Sequence, residues 1–224
     1  MPFTSTKTCD RRNFLGGALI AWAACTLGLP AWAAKTRPVV TILGDSITAG
    51  YGLEAADALP AQLQAALLRL GYPVEVRGAG VSGDTTAGGL ARVDFSVQPD
   101  TSLCMVALGG NDLLQGVDPR TTRTNLDRIV RRLQSRRIRV VLCGLRAPAR
   151  LNAHFARDFD ATFPAVAKAH GAVLYPDLLA GVSQNPELNQ RDGLHPNPRG
   201  VKLIASRLAP LIAHALTAKA GQRA

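Results

Sequence analysis

From Val39 onward, apolar runs of strand length alternate with stretches of helical spacing, the pattern of parallel strands joined by helices. The first run, Val39-Val40-Thr41-Ile42-Leu43, ends at Gly44. Leu63, Leu67 and Leu70 then share one face of a helix expected over 59–70, with Gly71 as its stop. A short strand over 74–76 leads into a glycine-rich bend over 78–85. Further strands are expected over 103–108, closing on Gly109-Gly110, over 139–145, and over 173–175. Helices are expected over 124–134, 154–170 and 200–216, with Pro164 and Pro210 predicting kinks or breaks in the last two. No repeat, heptad seam or low-complexity tract interrupts this alternation. The fold class is therefore α/β: a three-layer α/β/α doubly wound parallel sheet, flavodoxin-like in strand order. Ligands of such sheets sit outside the carboxyl ends of the strands. The polar and glycine-rich clusters 44–46, 78–85 and 109–112 all fall there, and one rim collects them with the late loop 191–198.

Ahead of this pattern stands a segment of another kind. Asp10-Arg11-Arg12-Asn13-Phe14-Leu15 puts two arginines before an apolar run without charge through Ala34, and Ala31-Trp32-Ala33 is an A-x-A cleavage signature. The segment resembles a twin-arginine export signal. The expectation is a cleaved signal peptide over 1–33, a single domain over 34–224 and a periplasmic product. An uncleaved membrane anchor is the rival reading, and Gly16, Gly17, Gly28, Pro30 and the small-residue exit argue for cleavage. A lipid anchor at Cys25 is disfavoured by Trp22. Cys9 and Cys25 leave with the leader. Cys104 and Cys143 remain inside apolar strands and are expected as buried thiols, because neighbouring parallel core strands rarely offer bridging geometry.

Size and charge narrow the picture only slightly. The chain has 224 residues, 47% of them hydrophobic, and suits one sizeable core. Its formal charge is +10, an argument about encounter and solubility rather than about fold. The densest basic run, Arg128, Arg131, Arg132, Arg136, Arg137 and Arg139, reads as the wet face of a helix running into a strand. It has neither aromatics nor a recognised module beside it, so no nucleic-acid partner is expected.

Four residues carry the candidate chemistry. Ser46 follows a strand end and a glycine, where a serine either caps the next helix or acts as a nucleophile. The G-x-S-x-G elbow is absent, since Thr48 occupies its second glycine position. Of the four histidines, His154, His170 and His214 fall in helical segments and read as surface or packing residues. His195 lies in Arg191-Asp192-Gly193-Leu194-His195-Pro196-Asn197-Pro198, a loop stiffened by prolines. One turn puts the Asp192 carboxylate within reach of the His195 ring, where it either fixes the tautomer while the other nitrogen takes a proton or makes a purely structural salt bridge. Asn111, behind two glycines at a strand end, is placed to donate toward a developing oxyanion, or is an ordinary turn asparagine. The 78–83 stretch also matches G-x-G-x-x-G, but it lies on the second strand, and Asp100 and Asp112 miss the acidic position of a dinucleotide site. No metal-ligand spacing and no phosphate loop are present.

Taken in order, Gly44-Asp45-Ser46-Ile47, Gly83 within Ser82-Gly83-Asp84-Thr85, Gly109-Gly110-Asn111-Asp112 and Asp192-Gly193-Leu194-His195-Pro196 resemble the four blocks of the SGNH (GDSL) hydrolases. The likeness spans about 39–215. The D-S-x-x-x-G-Y and S-G-D-T stretches are similar to the bacterial thioesterase I, lysophospholipase and arylesterase branch. The resemblance implies a serine esterase acting on acyl esters or thioesters through an acyl-enzyme, with no cofactor. It implies Ser46, Asp192 and His195 as the triad, and an oxyanion hole from the Ser46 and Gly83 N–H groups and the Asn111 side chain. A small-molecule ester or thioester, no nucleic acid, no stable membrane insertion after cleavage, and a monomer complete the expectation. A carbohydrate O-deacetylase with the same triad and a non-catalytic periplasmic binding protein on this fold are the alternatives. Ile47 departs from the usual leucine, Gly78 from a frequent asparagine, and Pro148-Ala149-Arg150-Leu151 from the branch's substrate-loop wording.

Overall fold

The computed structural model describes residues 37–148 and 151–218; the expected leader and its cleavage site lie outside them. Strand β1 (Val39–Gly44) is followed by a single turn of helix, α1 (Ser46–Ala49), and then by α2 (Leu59–Arg69), β2 (Glu75–Gly80), α3 (Thr86–Ser96) and β3 (Thr101–Ala107). The chain continues through α4 (Gly110–Leu114), α5 (Pro119–Ser135), β4 (Arg139–Cys143), α6 (Ala153–His170), β5 (Val173–Tyr175) and α7 (Pro198–Thr217). The strands pair in parallel in the order β2-β1-β3-β4-β5, the flavodoxin-like order expected. Helices α2 and α7 pack together as one outer layer, and α3, α5 and α6 as the other.

The burial pattern explains why these segments become strands. β1 is buried at every position, and β3 and β4 at nearly all of theirs. A central parallel strand is covered on both faces, so it reads as a continuous Val/Ile/Leu run and not as an alternation. The edge strands β2 and β5 remain half-exposed. Helix α5 shows the complementary pattern. Leu126, Ile129, Val130 and Leu133 are buried, while Arg128 and Arg131 face water as the sequence predicts. Cys104 and Cys143 are free, buried thiols, and burial pushes the Cys104 thiol up to about 12. No described helix is long and apolar enough to cross a membrane.

Several expectations need correction. The second strand does not stop at 76 but runs to Gly80, so Gly78 and Gly80 belong to β2 and not to a bend. The reason is steric. A Cβ on Gly80 would sit 2.3 Å from the Ala49 nitrogen, and one on Gly78 would sit 2.7 Å from Pro60 Cγ. Bare backbone there lets α1 and the start of α2 lie against the strand. Helices α3 and α4 were absent from the predicted pattern. The Gly88-Gly89 pair in α3 lowers helix propensity, yet a Cβ at Gly88 would strike the Asp84 carboxylate and one at Gly89 would strike Leu108. Helix α5 starts earlier than expected, because the Asp118 side chain caps it through Arg120 N–H at 2.8 Å and Pro119 suits the first turn. Pro164 and Pro210 do not divide α6 and α7. Tertiary burial of Phe159, Phe163 and Val166, and of Leu208, Ala209 and Ile212, outweighs the local cost.

Candidate active site

Parallel register decides where the rim residues go. Gly44 at the end of β1 pairs with Gly80 of β2 on one side and Ala107 of β3 on the other. The three strands therefore end level, and Ser46, Gly83 and Asn111 emerge within a few residues of one line. Around them lies a cleft of about 390 Å³ lined by Ser46, Gly83, Asn111 and His195, with Leu113, Leu114, Leu145 and Leu194 among its apolar walls.

Ser46 is the first residue of α1, and the cap is Asp45, whose carboxylate accepts Ile47 N–H at 3.1 Å. The capping role considered for Ser46 thus belongs to its neighbour, and the hydroxyl is left for other work. It meets His195 Nε2 at 2.9 Å across a sequence separation of 149 residues. On the far side of the ring, His195 Nδ1 lies 2.6 Å from Asp192 Oδ2. The other oxygen, Oδ1, accepts the backbone N–H groups of Leu194 at 2.9 Å and His195 at 3.0 Å. These bonds, the His195 backbone N–H foremost, pull the Asp192 carboxyl down to about 2. An ionised carboxylate only accepts, so Nδ1 carries the ring proton and Nε2 is left to accept from the Ser46 O–H.

The loop that holds this relay is tied down from both ends. Gln190 N–H donates to the His195 carbonyl at 2.8 Å, and Asn189 bridges Pro196. Gly193 sits at φ 67°, the left-handed turn that lets the loop double back. The Gln190 side chain donates to the carbonyls of Tyr51, at 2.8 Å, and Pro196, at 3.1 Å. It thereby joins the loop to the segment after α1. The Tyr51 ring leans on the His195 ring, centroid to centroid 4.6 Å at 36°.

Asn111 lies in α4 and donates from Nδ2 to the Asp84 carbonyl at 2.9 Å. The second N–H on that nitrogen is available to the cleft. Gly83 stands at φ 82°. Among the described residues neither the Gly83 N–H nor the Ser46 N–H has another backbone acceptor. Beneath Asn111, the buried Asp112 carboxylate accepts Thr86 N–H at 2.8 Å, Thr86 Oγ1 at 2.5 Å and Thr122 Oγ1 at 3.2 Å. This network pins α4 to the start of α3.

Ser46, Gly83, Asn111 and His195 thus meet at one cleft, and Asp192 stands behind the His195 ring. His154 and His170 do not join them: each pairs with a carboxylate elsewhere, Asp158 at 3.1 Å and Asp127 at 2.6 Å, and His214 lies exposed on α7. The G-x-G-x-x-G match is spent inside β2 and its turn. The sequence reading missed Tyr51, Gln190, Asp45, Arg92 and the Asp112 network. Asp45 is buried beside the turn that carries Ser46, and burial raises its carboxyl to about 6. Asp45, Tyr51 and Asp112 stand inside the quoted motif blocks without a role that the sequence assigns, and Gln190 and Arg92 find partners far along the chain. Of the substrate-loop departure, Pro148 lines the cleft, while Ala149 and Arg150 lie outside the described residues.

Comparison with known proteins agrees with this geometry. The GDSL-like lipase/acylhydrolase family matches residues 42–203. Esterase TesA of Pseudomonas aeruginosa is 34% identical over 176 residues, covering 76% of this chain and 88% of its own. Thioesterase 1/protease 1/lysophospholipase L1 of Escherichia coli K12 is 33% identical, with 81% and 88% covered. The crystal structure of AlinE4, an SGNH-hydrolase family esterase, superposes with a TM-score of 0.67 at 44% identity, over 81% of this chain and 98% of AlinE4. With a parallel sheet of this order, this rim and these relatives, the chain belongs to the GDSL-like lipase/acylhydrolase family, the SGNH hydrolases, and is a carboxylic-ester hydrolase.

Proposed function

We propose that Ser46 is the nucleophile of a two-step acyl transfer, with His195 as base and then acid and Asp192 as the group that orients it. The observation that carries this reading is the unbroken hydrogen-bonded sequence from Ser46 Oγ through His195 to Asp192. Ser46 Oγ attacks the acyl carbonyl as its proton passes to Nε2. The tetrahedral oxyanion is held by the N–H groups of Ser46 and Gly83 and by Asn111 Nδ2. Collapse expels the alcohol or thiol, which takes the proton from His195. Water repeats the sequence on the acyl-enzyme and releases the acid. No step calls for a cofactor.

The substrate is an acyl ester or thioester, with aryl esters and lysophospholipids within the class. The leucine-lined walls beside Ser46 support an apolar acyl group over the acetyl group of a sugar O-deacetylase. Export through a twin-arginine signal over 1–33, periplasmic residence of the 34–224 domain and a monomeric state complete the proposal, supported by the leader's own residues and the A-x-A site. Labelling by an organophosphate tests the chemistry: wild type is labelled at one serine and Ser46→Ala is not. An unlabelled wild type overturns the reading. A ladder of p-nitrophenyl esters tests the substrate, and activity confined to the two-carbon acyl chain would favour the deacetylase.

A further inference from the structure

Beside the catalytic cleft, a single arginine touches three of the backbone segments that build it. The side chain of Arg92, on α3, is only 19% exposed and lies against the Asp84 carboxylate, itself 11% exposed. Its Nε donates to Asp84 Oδ2 at 2.7 Å. Nη1 donates to the Ala79 carbonyl at 2.9 Å and to Ser96 Oγ at 3.1 Å. Nη2 donates to the Gly44 carbonyl at 2.8 Å. The last acceptor is the final peptide of β1, two residues before the nucleophile, and it also receives Val81 N–H at 3.2 Å. Asp84 follows Gly83, and its carbonyl is the acceptor that holds Asn111 Nδ2.

We infer that Arg92 is a positioning residue for the oxyanion site: through Gly44 it fixes the turn that carries Ser46, and through Asp84 it fixes Gly83 and Asn111. The geometry requires an arginine, because one planar fork serves four acceptors in different directions, and a lysine ammonium on a single flexible stem does not reproduce that spread. Gly88 belongs to the same device. A Cβ there would fall 1.8 Å from Asp84 Oδ1, so the glycine keeps open the space in which the carboxylate turns toward Arg92. Ser46, Gly83 and Asn111 would each keep their own chemistry without Arg92. They would lose their common alignment, and displacements near an ångström lower rates by about a hundredfold.

The inference rests on the assignment of Asn111 to the oxyanion site, and the test separates the two. Arg92→Ala, Asp84→Asn, Asn111→Ala and the double variant Arg92→Ala/Asn111→Ala are compared by kcat and KM on a p-nitrophenyl ester. Binding of phenylboronic acid, which forms a tetrahedral adduct on serine, is measured beside them. Arg92→Ala is expected to lower kcat about 10- to 100-fold with KM little changed, and to weaken boronate binding in parallel. Added guanidinium should restore part of that kcat, and Arg92→Lys should fall between wild type and Arg92→Ala. In the Asn111→Ala background the same change should cost clearly less than in wild type, because the part of the alignment that holds Asn111 is already gone. Should Arg92→Ala not fold, Asp84→Asn, which keeps the carbonyl and loses the carboxylate, carries the comparison. Full additivity of the two losses, or a rise in KM at constant kcat, overturns the role of Arg92 while leaving Asn111 in place. A fully active Asn111→Ala would instead overturn the oxyanion assignment itself.

Discussion

In the loop around His195, the Asp192 carboxylate finds its partners within three residues of itself: Leu194 N–H, His195 N–H and the His195 ring. Its side chain is 39% exposed. In the corner around Asn111 the wiring is long-range and buried or half-buried. Asn111 reaches Asp84 across 27 residues, Asp112 reaches Thr86 across 26, and Arg92 reaches Gly44 across 48. The proposed relay half is thus a locally wired turn, whereas the proposed oxyanion half is braced by contacts from distant parts of the chain. A change in the relay half should therefore cost chemistry with little stability, and a change behind the oxyanion half should cost both.

The largest effect expected is on the relay side. Ser46→Ala should lower kcat by about 10³-fold or more while leaving the midpoint of urea unfolding near wild type. A melt shifted as far as the rate would break the distinction. Next comes Asn111→Ala, with a loss of about 10²–10³ in kcat. A loss carried by KM alone would assign Asn111 to ground-state binding. Smaller in activity but larger in stability is Thr86→Val. It removes a hydroxyl that both donates to Asp112 and accepts from Asn125 Nδ2 at 3.1 Å. Leaving buried partners unmade should cost about 1–3 kcal/mol in chemical denaturation, with a secondary fall in kcat as α4 loosens.

Acidity adds a contrast of its own, since the two carboxylates nearest Ser46 and His195 respond to pH with opposite sign. Burial against the turn that carries Ser46 raises the Asp45 carboxyl from an ordinary 3.8 to about 6 in the folded state. The native state then binds the proton more tightly than the unfolded chain. Stability contributed by the protonated form is full below about 4 and is lost as pH rises through about 6. The loss is about 3 kcal/mol, and Asp45→Asn, which keeps the capping oxygen, should abolish the slope in urea melts between those values. Asp192, held near 2, behaves in the reverse way. Its contribution is full above about 4 and fades only as pH falls toward 2. An acid limb of activity above pH 4 therefore does not report Asp192. The smallest effect serves as the baseline: Arg120→Ala, which breaks only an exposed pair with Asp118, should stay within about 0.5 kcal/mol of wild type.

How much of this was legible depends on the range of the interactions involved. The central strands and the long helices declare themselves because burial on both faces leaves a continuous apolar run and burial of one stripe writes a helical period. Ser46, Asp192, His195, Gly83 and Asn111 were readable as types at strand ends and in a proline-stiffened loop. Helix α3 was not, because its glycines serve Asp84 and Leu108 and not the helix itself. Nor was the true end of β2, where Gly80 answers to the backbone of α1. In both places local propensity was set by an atom from another part of the chain.

The sequence by itself determined the layering, the places of the central strands and the Asp192-to-His195 turn, since each follows from residues within a few positions of one another. Only the tertiary structure decided that Ser46 lies 2.9 Å from a ring 149 residues away, and that Arg92 and Asp112 brace the opposite wall. Those contacts depend on level parallel register at Gly44, Gly80 and Ala107, which is fixed by the packing of the whole sheet and by no single segment of it.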